Sequence, residues 1–282
     1  MTTLLLYLFY FAASTAVPLQ RRRLAVQRDG GGQIHFAFRV MAVISVIGVI
    51  VLPFFHPFVL QGNIWKLLLL GLLCGIFGTV YWVCSYTAQR HIDAGVSTLA
   101  FNLSTPVAIT LATLFLNEKL TAMQLGGTVL LLVGLFLVSK KHRVGNFKFD
   151  RYFLMVLLAG AVLGVLFTLE RTLQIETGLS AGILFSWWSQ TLCLGITAFL
   201  MKNRTTYTTK DALITGGVGS LQAMSWVTLM YVVGNLSLVS SVATFKVVIV
   251  FIAAAIFLKE REDLPRKVIG SIIAVAGLLL MK

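Results

Sequence analysis

The sequence is poor in charge, and acidic residues are the scarcest of the charged types. Only 12% of the 282 residues are charged, with 10 Asp and Glu against 23 Lys and Arg, and the formal net charge is +13. Soluble domains carry roughly 25% charged residues, whereas 58% of this chain is apolar. This composition excludes a disordered chain and most soluble enzymes. It indicates a membrane protein, in which one-sided positive charge is ordinary, rather than a nucleic-acid-binding protein.

Cysteine and the common catalytic motifs are also scarce. Cys74, Cys84 and Cys193 all lie within apolar stretches, and none forms a close pair that could build a zinc site or a disulfide scaffold. The sequence has no phosphate-binding loop, no HExxH motif and no Gly-x-Ser-x-Gly elbow. We therefore predict no enzymatic activity, no cofactor and no metal.

Long apolar segments dominate the rest of the chain. A helix needs about 20 mostly apolar residues to cross a bilayer, and its backbone groups must pair internally in lipid. The first segment has no basic residue before it, so we expect a retained helix rather than a cleaved signal peptide. The fold class predicted is an all-α membrane protein with ten transmembrane helices, over residues 2–19, 36–55, 66–86, 95–116, 122–139, 152–170, 179–201, 212–233, 238–258 and 265–281.

The two halves of the chain repeat each other, which predicts two five-helix units at residues 1–145 and 146–282. Because five is odd, the second unit must enter the membrane from the opposite side, and the units are then inverted repeats. Transporters of this architecture bind substrate near the membrane midplane, although a duplicated scaffold without transport is an alternative. The aligned positions include Tyr81 with Trp226, Gly71 with Gly216, Leu116-Asn117-Glu118-Lys119 with Leu258-Lys259-Glu260-Arg261, and Gly127 and Gly134 with Gly270 and Gly277.

Part of this repeat resembles the EamA-type branch of the drug/metabolite transporter superfamily. The resemblance lies in Pro106…Leu116-Asn117-Glu118-Lys119-Leu120…Gly126-Gly127…Gly134 and in the copy at Leu258-Lys259-Glu260-Arg261…Gly270…Gly277. It implies a ten-helix carrier, often an exporter, for amino acids, other small metabolites or toxic compounds. We expect it to lie in the plasma membrane and to work by alternating access between the two inverted halves. The second half departs from the pattern, because Val248 stands where the first half has Pro106.

The expected partners are the lipid bilayer and a small-molecule substrate, without nucleic acid, and the expected assembly is a monomer or homodimer. An uptake carrier is the alternative within the transporter class. A membrane scaffold that transports nothing is the alternative outside it.

Positive charge is distributed unevenly between the two sides of the predicted membrane. Eighteen Lys and Arg fall on one set of connections and four on the other. The positive-inside rule assigns the richer side to the cytoplasm and both termini to the outside, whereas the family resemblance implies termini inside. The eighteen are Arg21, Arg22, Arg23, Arg28, Arg39, Arg90, Lys140, Lys141, Arg143, Lys148, Arg151, Lys202, Arg204, Lys210, Lys259, Arg261, Arg266 and Lys267.

Two charged residues are candidates for the substrate cavity. Lys246 falls near the middle of the ninth segment, where it would bind an anionic group or change protonation, or alternatively hydrogen-bond neighbouring carbonyls and hydroxyls. Glu170 ends the sixth segment, and a helix-end pair with Arg171 is the alternative there. With no other carboxylate near a segment's interior, the sequence gives proton antiport little support.

Uncharged polar and aromatic side chains supply the remaining cavity candidates, because a ligand pocket combines apolar walls with a few polar groups. Gln222 and Trp226 share a helix face, Tyr81 is the repeat partner of Trp226, and Asn102 lies one turn before Pro106. Trp187 and Gln190 belong to a polar and aromatic stretch in the seventh segment. Hydrogen bonding between helices or contact with lipid is the alternative for each of them.

Overall fold

The protein is a helical bundle apart from one short ladder, in a computed structural model that describes residues 2–27, 31–55, 57–59, 62–116, 121–138, 143–144, 148–201, 206–233, 246–259 and 264–280. A two-residue antiparallel pair, β1 (Arg143–Val144) with β2 (Lys148–Phe149), lies between the halves. The helices are α1 (Thr2–Gln27), α2 (Gln33–Phe55), α3 (Ile64–Ala88), α4 (Ala94–Phe101), α5 (Ser104–Leu116), α6 (Ala122–Val138), α7 (Arg151–Thr177), α8 (Leu179–Leu200), α9 (Thr209–Val233), α10 (Lys246–Ala253) and α11 (Leu264–Leu280).

Four of the described helices are long and apolar enough to cross a membrane by length and composition. They cover Gln33–Phe54, Ile64–Ala88, Arg151–Thr177 and Leu179–Leu200. Their outward faces are rich in exposed Leu, Ile and Phe side chains, which water would not favour and a lipid environment accommodates. The protein is therefore an all-helical membrane protein, as the sequence predicted at this level.

Two helices continue well beyond the ends predicted from sequence. The first segment was expected to end at residue 19 and the sixth at residue 170, but α1 reaches Gln27 and α7 reaches Thr177. In α1 the apolar pattern resumes after three arginines, and Ala25 is buried. In α7 Leu173 and Thr177 are buried, and the helix stops at Gly178 with φ +83°, a conformation that favours glycine. Charged residues were mistaken for helix ends in both cases.

The fourth predicted segment, expected as one helix over residues 95–116, is interrupted one turn before Pro106. Asn102 and Leu103 separate α4 from α5. Proline has no backbone N–H to donate one turn back, and the Asn102 carbonyl instead accepts from the Thr105 N–H at 3.0 Å. The ninth predicted segment is described only from Lys246, and its expected start at residue 238 lies outside the described residues.

The described part of this ninth segment ends in an irregular turn. After α10, residues Ala254–Leu258 form a π-helical turn, and Lys259 follows with a left-handed φ of 57°. The described residues stop at Lys259 and resume at Leu264, the first residue of α11. The preceding helix, α10, packs against α1 and α4.

Helices from the two halves of the sequence pack against each other throughout. α1 packs on α9 and α3 on α7, while α2 packs on both α8 and α9 and α3 also packs on α8. The α6–α11 contact is built on glycine: a Cβ on Gly134 would collide with the Gly270 carbonyl, and a Cβ on Gly277 would collide with the Gly127 carbonyl. Such close backbone approach is how helices associate where no hydrophobic effect drives them together.

Candidate functional site

Glu170 is a buried carboxylate inside the bundle. It is 8% exposed, and its Oε1 accepts hydrogen bonds from Ser186 Oγ at 2.9 Å and from Gln190 Nε2 at 3.1 Å. Ser186 and Gln190 are four residues apart on α8 and therefore share a face. Neither donor is charged, and no cation pairs with Glu170 among the described residues. The alternative given for Glu170, a helix-end pair with Arg171, is wrong, because its described partners are on α8 and α7 continues for two more turns.

Gln190 connects this carboxylate to the aromatic core. Its Nε2 also lies 3.0 Å from Ser186 Oγ, and its Oε1 accepts from the indole N–H of Trp82 on α3 at 3.2 Å. The amide is 3% exposed, and its hydrogen bonds fix which end faces Glu170. A Cβ on Gly78 would collide with the Gln190 side chain, so glycine on α3 makes the room that the amide occupies.

Arg21 continues the same chain of contacts, because its guanidinium lies over the ring of Trp82. Its guanidinium carbon lies 5.0 Å from the centroid of the Trp82 ring and 4.7 Å from that of Tyr86. Those two aromatic residues are four apart on α3, and a cation over their faces is stabilised electrostatically. Arg21 is 8% exposed. The sequence had assigned it to a connecting loop, and that assignment is wrong because α1 extends past it.

Lys246 lies in a second cluster, made mostly of aromatic rings. Its Nζ donates to Tyr10 Oη at 3.0 Å and lies 5.6 Å from the centroid of that ring. Tyr10 is buried and packs against Trp226 at a centroid distance of 5.5 Å, and Trp226 packs at the same distance against Phe167 on α7. The hydroxyl of Tyr10 is a neutral partner, and no carboxylate pairs with Lys246 among the described residues.

The remaining sequence candidates have different environments. Tyr81 makes edge contacts with Trp82 and Phe101 at 5.5 and 5.8 Å, and Trp187 is buried against Gly48 on α2. Gln222, one turn before Trp226, is half-buried and has no side-chain hydrogen bond with the described residues. Asn102 is buried in the break between α4 and α5, and its Nδ2 has no hydrogen-bond partner among the described residues.

The structure thus brings some candidates together and leaves others apart. Glu170 and Gln190 are in direct contact, and Tyr81, Trp187 and Trp226 border one hydrophobic core that also contains Trp82 and Tyr86. Sequence reasoning missed Arg21 and Trp82. A signal for Arg21 was present, because Leu24-Ala25-Val26 resumes the apolar pattern directly after the arginines.

An open apolar groove lies away from this polar network. Its volume is about 430 Å³, and it lies between α2, α8 and the connection after α2, with no charged side chain in its wall. The wall consists of Val49, Pro53, Phe58, Ala181, Leu184, Phe185 and Trp188. The groove has no charged side chain to orient a ligand, so it is a weaker candidate for the substrate site than the polar network around Glu170.

Charged side chains near the two ends of the bundle tie helix ends together. Arg22 donates to the carbonyls of Gln89 and Arg90 and lies 3.9 Å from Asp93, which also pairs with Lys267 of α11. At the other end of α3, Lys66 pairs with Glu176 at the end of α7. These pairs join α1, the α3–α4 connection and α11 at one end of the bundle, and α3 and α7 at the opposite end.

Comparison with known proteins identifies the class. The profile of the EamA-like transporter family matches residues 1–140. A probable terminal-alkyne amino-acid exporter of Streptantibioticus cattleyicolor is 26% identical over 214 residues, which cover 74% of this chain and 71% of that protein. A protein of known crystal structure superimposes with a TM-score of 0.63 at 15% identity, over 96% of this chain and 94% of that one, and this likeness concerns the fold alone.

The protein is therefore a membrane transporter of small molecules and not an enzyme. Its residues 1–140 are similar to the EamA-like transporter family. The resemblance inferred from the sequence is confirmed at this level.

Proposed function

We propose that the protein exports a small metabolite, amino acid or drug-like compound across the plasma membrane, by alternating access between two inverted five-helix repeats. The similar exporter of Streptantibioticus cattleyicolor supports the direction and the general kind of substrate. The buried polar network around Glu170 is the observation that carries a transport role, because polar groups inside a membrane bundle are expensive and are retained where they bind or move something.

The packing of the helices supports inverted repeats at residues 1–145 and 146–282. If the sequence repeat is applied as a two-fold operation, the contact of α1 with α9 becomes that of α7 with α3, and the contact of α2 with α9 becomes that of α8 with α3; both members of each pair occur. The Gly134–Gly270 approach likewise becomes Gly277–Gly127, which also occurs. An isologous interface of this kind relates a unit to its inverted copy.

The candidate cavity residues share the space between the two repeats in this proposal. Glu170 and Gln190 supply the polar wall and Tyr81, Trp187 and Trp226 the aromatic wall, while Asn102 offers an unused amide N–H at a helix break. Gln222 extends the face of Trp226. Lys246 supplies a positive charge that faces a neutral hydroxyl.

Transport by the purified protein tests this function. Liposomes containing the protein are loaded with one compound and exchanged against the same labelled compound, across a panel of amino acids, other metabolites and organic cations at set pH gradients. A carrier exchanges at least one compound faster than protein-free liposomes, whereas a scaffold moves none. In cells, an exporter lowers the accumulation of that compound, and an uptake carrier raises it.

Two variants separate a transport role of Lys246 from a packing role. Lys246→Met and Tyr10→Phe remove the same 3.0 Å hydrogen bond, so each should lower thermal stability. We expect only Lys246→Met to lose transport, because only that variant removes the charge. Equal transport by the two variants would assign Lys246 to packing alone.

A further inference from the structure

Arg21 is a buried cation with no anionic partner among the described residues. It is 8% exposed, its Nε has no hydrogen-bond partner, and its described contacts are the rings of Trp82 and Tyr86. The adjacent Arg22 behaves differently, since it donates to two backbone carbonyls and lies near Asp93. The charge of Arg21 is therefore not used to tie helix ends together.

The aromatic rings support the guanidinium without satisfying its donors. Arginine presents five N–H groups in a flat fork that matches the two oxygens of a carboxylate. Ring faces attract the positive charge, but they leave the donors at the edge of the fork unused. Buried donors without acceptors are costly, so an oxygen-bearing anion that accepted from them would stabilise the arrangement.

A second unused group lies beside the guanidinium. Tyr86 Oη is buried and has no hydrogen-bond partner among the described residues, and the ring that carries it lies 4.7 Å from the guanidinium carbon of Arg21. Trp82 also lies next to the guanidinium, and its indole N–H is already engaged by Gln190 at 3.2 Å. The polar groups left without partners among the described residues here are therefore on Arg21 and Tyr86.

We infer that Arg21 and Tyr86 bind the carboxylate group of the transported substrate. This inference rests on the proposed function and narrows it to carboxylate-bearing small molecules such as amino acids, rather than organic cations. Because Arg21 lies on α1 and Tyr86 on α3, the substrate carboxylate would bind between these two helices. The hydrogen bonds from Trp82 to Gln190 and from Gln190 to Glu170 connect this site to the buried carboxylate.

Matched ligands and variants test the inference. Each amino acid of the transport panel is compared with its primary amide, which has the same side chain but no carboxylate charge. We expect the KM of the wild-type protein to be lower for the acid, and Arg21→Gln to raise that KM about tenfold or more, the scale of one lost charged hydrogen bond. The KM for the amide should change little. Arg23→Gln is the control, because Arg23 is the exposed neighbour on the same helix.

Two further variants guard against misfolding. Arg21→Lys keeps the charge but loses the fork, and Tyr86→Phe removes only the hydroxyl, so each should raise the KM for the acid by a smaller factor. If Arg21→Gln does not fold, these two carry the test. An unchanged preference for the acid in the folded variants overturns the inference.

A binding measurement separates this inference from the proposed function. The purified protein in detergent is heated with each amino acid or its amide, and the shift in unfolding temperature is recorded. Stabilisation by acids that is lost in Arg21→Gln or Arg21→Lys but kept in Arg23→Gln supports the carboxylate pocket even if nothing is transported. The absence of any acid-specific stabilisation of the wild-type protein overturns the inference even if another compound is transported.

Discussion

Gln190 connects three helices through the hydrogen bonds of its side-chain amide. Its amide takes one hydrogen bond from Trp82 on α3 and gives others to Glu170 on α7 and to Ser186 on its own helix. An amide is suited to this position, because it can donate to an acid and accept from an indole at the same time. A residue with only one of these capacities would leave a buried polar group unsatisfied.

Replacing Gln190 by leucine is therefore expected to destabilise the protein. The indole N–H of Trp82 loses its acceptor and Glu170 loses a donor, and unsatisfied buried groups cost about 1–3 kcal/mol each, more for a charged one. The control is Gln222→Leu, because Gln222 is half-buried and makes no side-chain hydrogen bond with the described residues. Thermal unfolding in detergent measures both, and an equal shift in the two variants would contradict the role given to Gln190.

Sequence alone identified the members of this network better than its connections. Glu170 and Gln190 were both named, because a carboxylate and an amide within apolar segments are conspicuous. Their contact was not predictable, since a helical pattern gives the face on which a side chain lies and not the partner across it. Arg21 was missed because three consecutive arginines are typical of a cytoplasmic loop under the positive-inside rule. In the structure, the first of the three contacts the rings of Trp82 and Tyr86 inside the bundle.

At the scale of elements, the α6–α11 interface depends on two pairs of small residues. A Cβ at position 134 meets the backbone carbonyl of Gly270, which cannot move aside as a flexible side chain could. Gly126 lies eight residues before Gly134 on the same helix, and a Cβ added there would have no described atom within 4 Å. One helix therefore carries a constrained glycine and an unconstrained one.

We expect the two alanine substitutions to have opposite effects. Gly134→Ala forces α6 and α11 apart and should destabilise the protein by about 1–3 kcal/mol, the usual scale of overpacking. Gly126→Ala should be neutral or stabilising by up to about 1 kcal/mol, because alanine favours the helix. The unfolding temperatures of the two variants test this prediction. Equal losses of stability in Gly126→Ala and Gly134→Ala would contradict it, because only the Cβ at position 134 meets a neighbouring helix.

The helices themselves were largely predictable, and their ends were less so. Apolar length predicted where the described helices occur, because a membrane segment cannot leave its backbone groups unpaired. The break after Phe101 was not predicted, although Pro106 explains the missing backbone hydrogen bond there. The ends of α1 and α7 did not follow, because Arg21 and Glu170 are buried by neighbouring helices that a one-dimensional pattern does not contain.

At the scale of the whole molecule, ionic contacts mark two opposite ends of the bundle. The Arg22–Asp93–Lys267 cluster lies past the last residue of α3, and Lys66 with Glu176 lies at its start. The 25 residues of α3 span about 37 Å at 1.5 Å per residue, enough to cross a bilayer core of about 30 Å. Two positive residues at the first end, Arg21 and Lys267, are buried, so they are not available to anchor the protein at a membrane surface.

The orientation of these two ends in the cell is the last prediction, and two single-cysteine variants measure it. Arg23 and Trp65 are exposed near opposite ends of α3, and each is replaced by cysteine after Cys74, Cys84 and Cys193 are replaced by alanine. The positive-inside rule predicts that a membrane-impermeant maleimide labels Trp65→Cys in intact cells, and Arg23→Cys only after permeabilisation. The opposite labelling pattern would mean that the protein has the orientation implied by the family resemblance, with both termini in the cytoplasm. The uneven distribution of Lys and Arg would then reflect contacts within the protein, such as that of Lys267 with Asp93, and not the positive-inside rule.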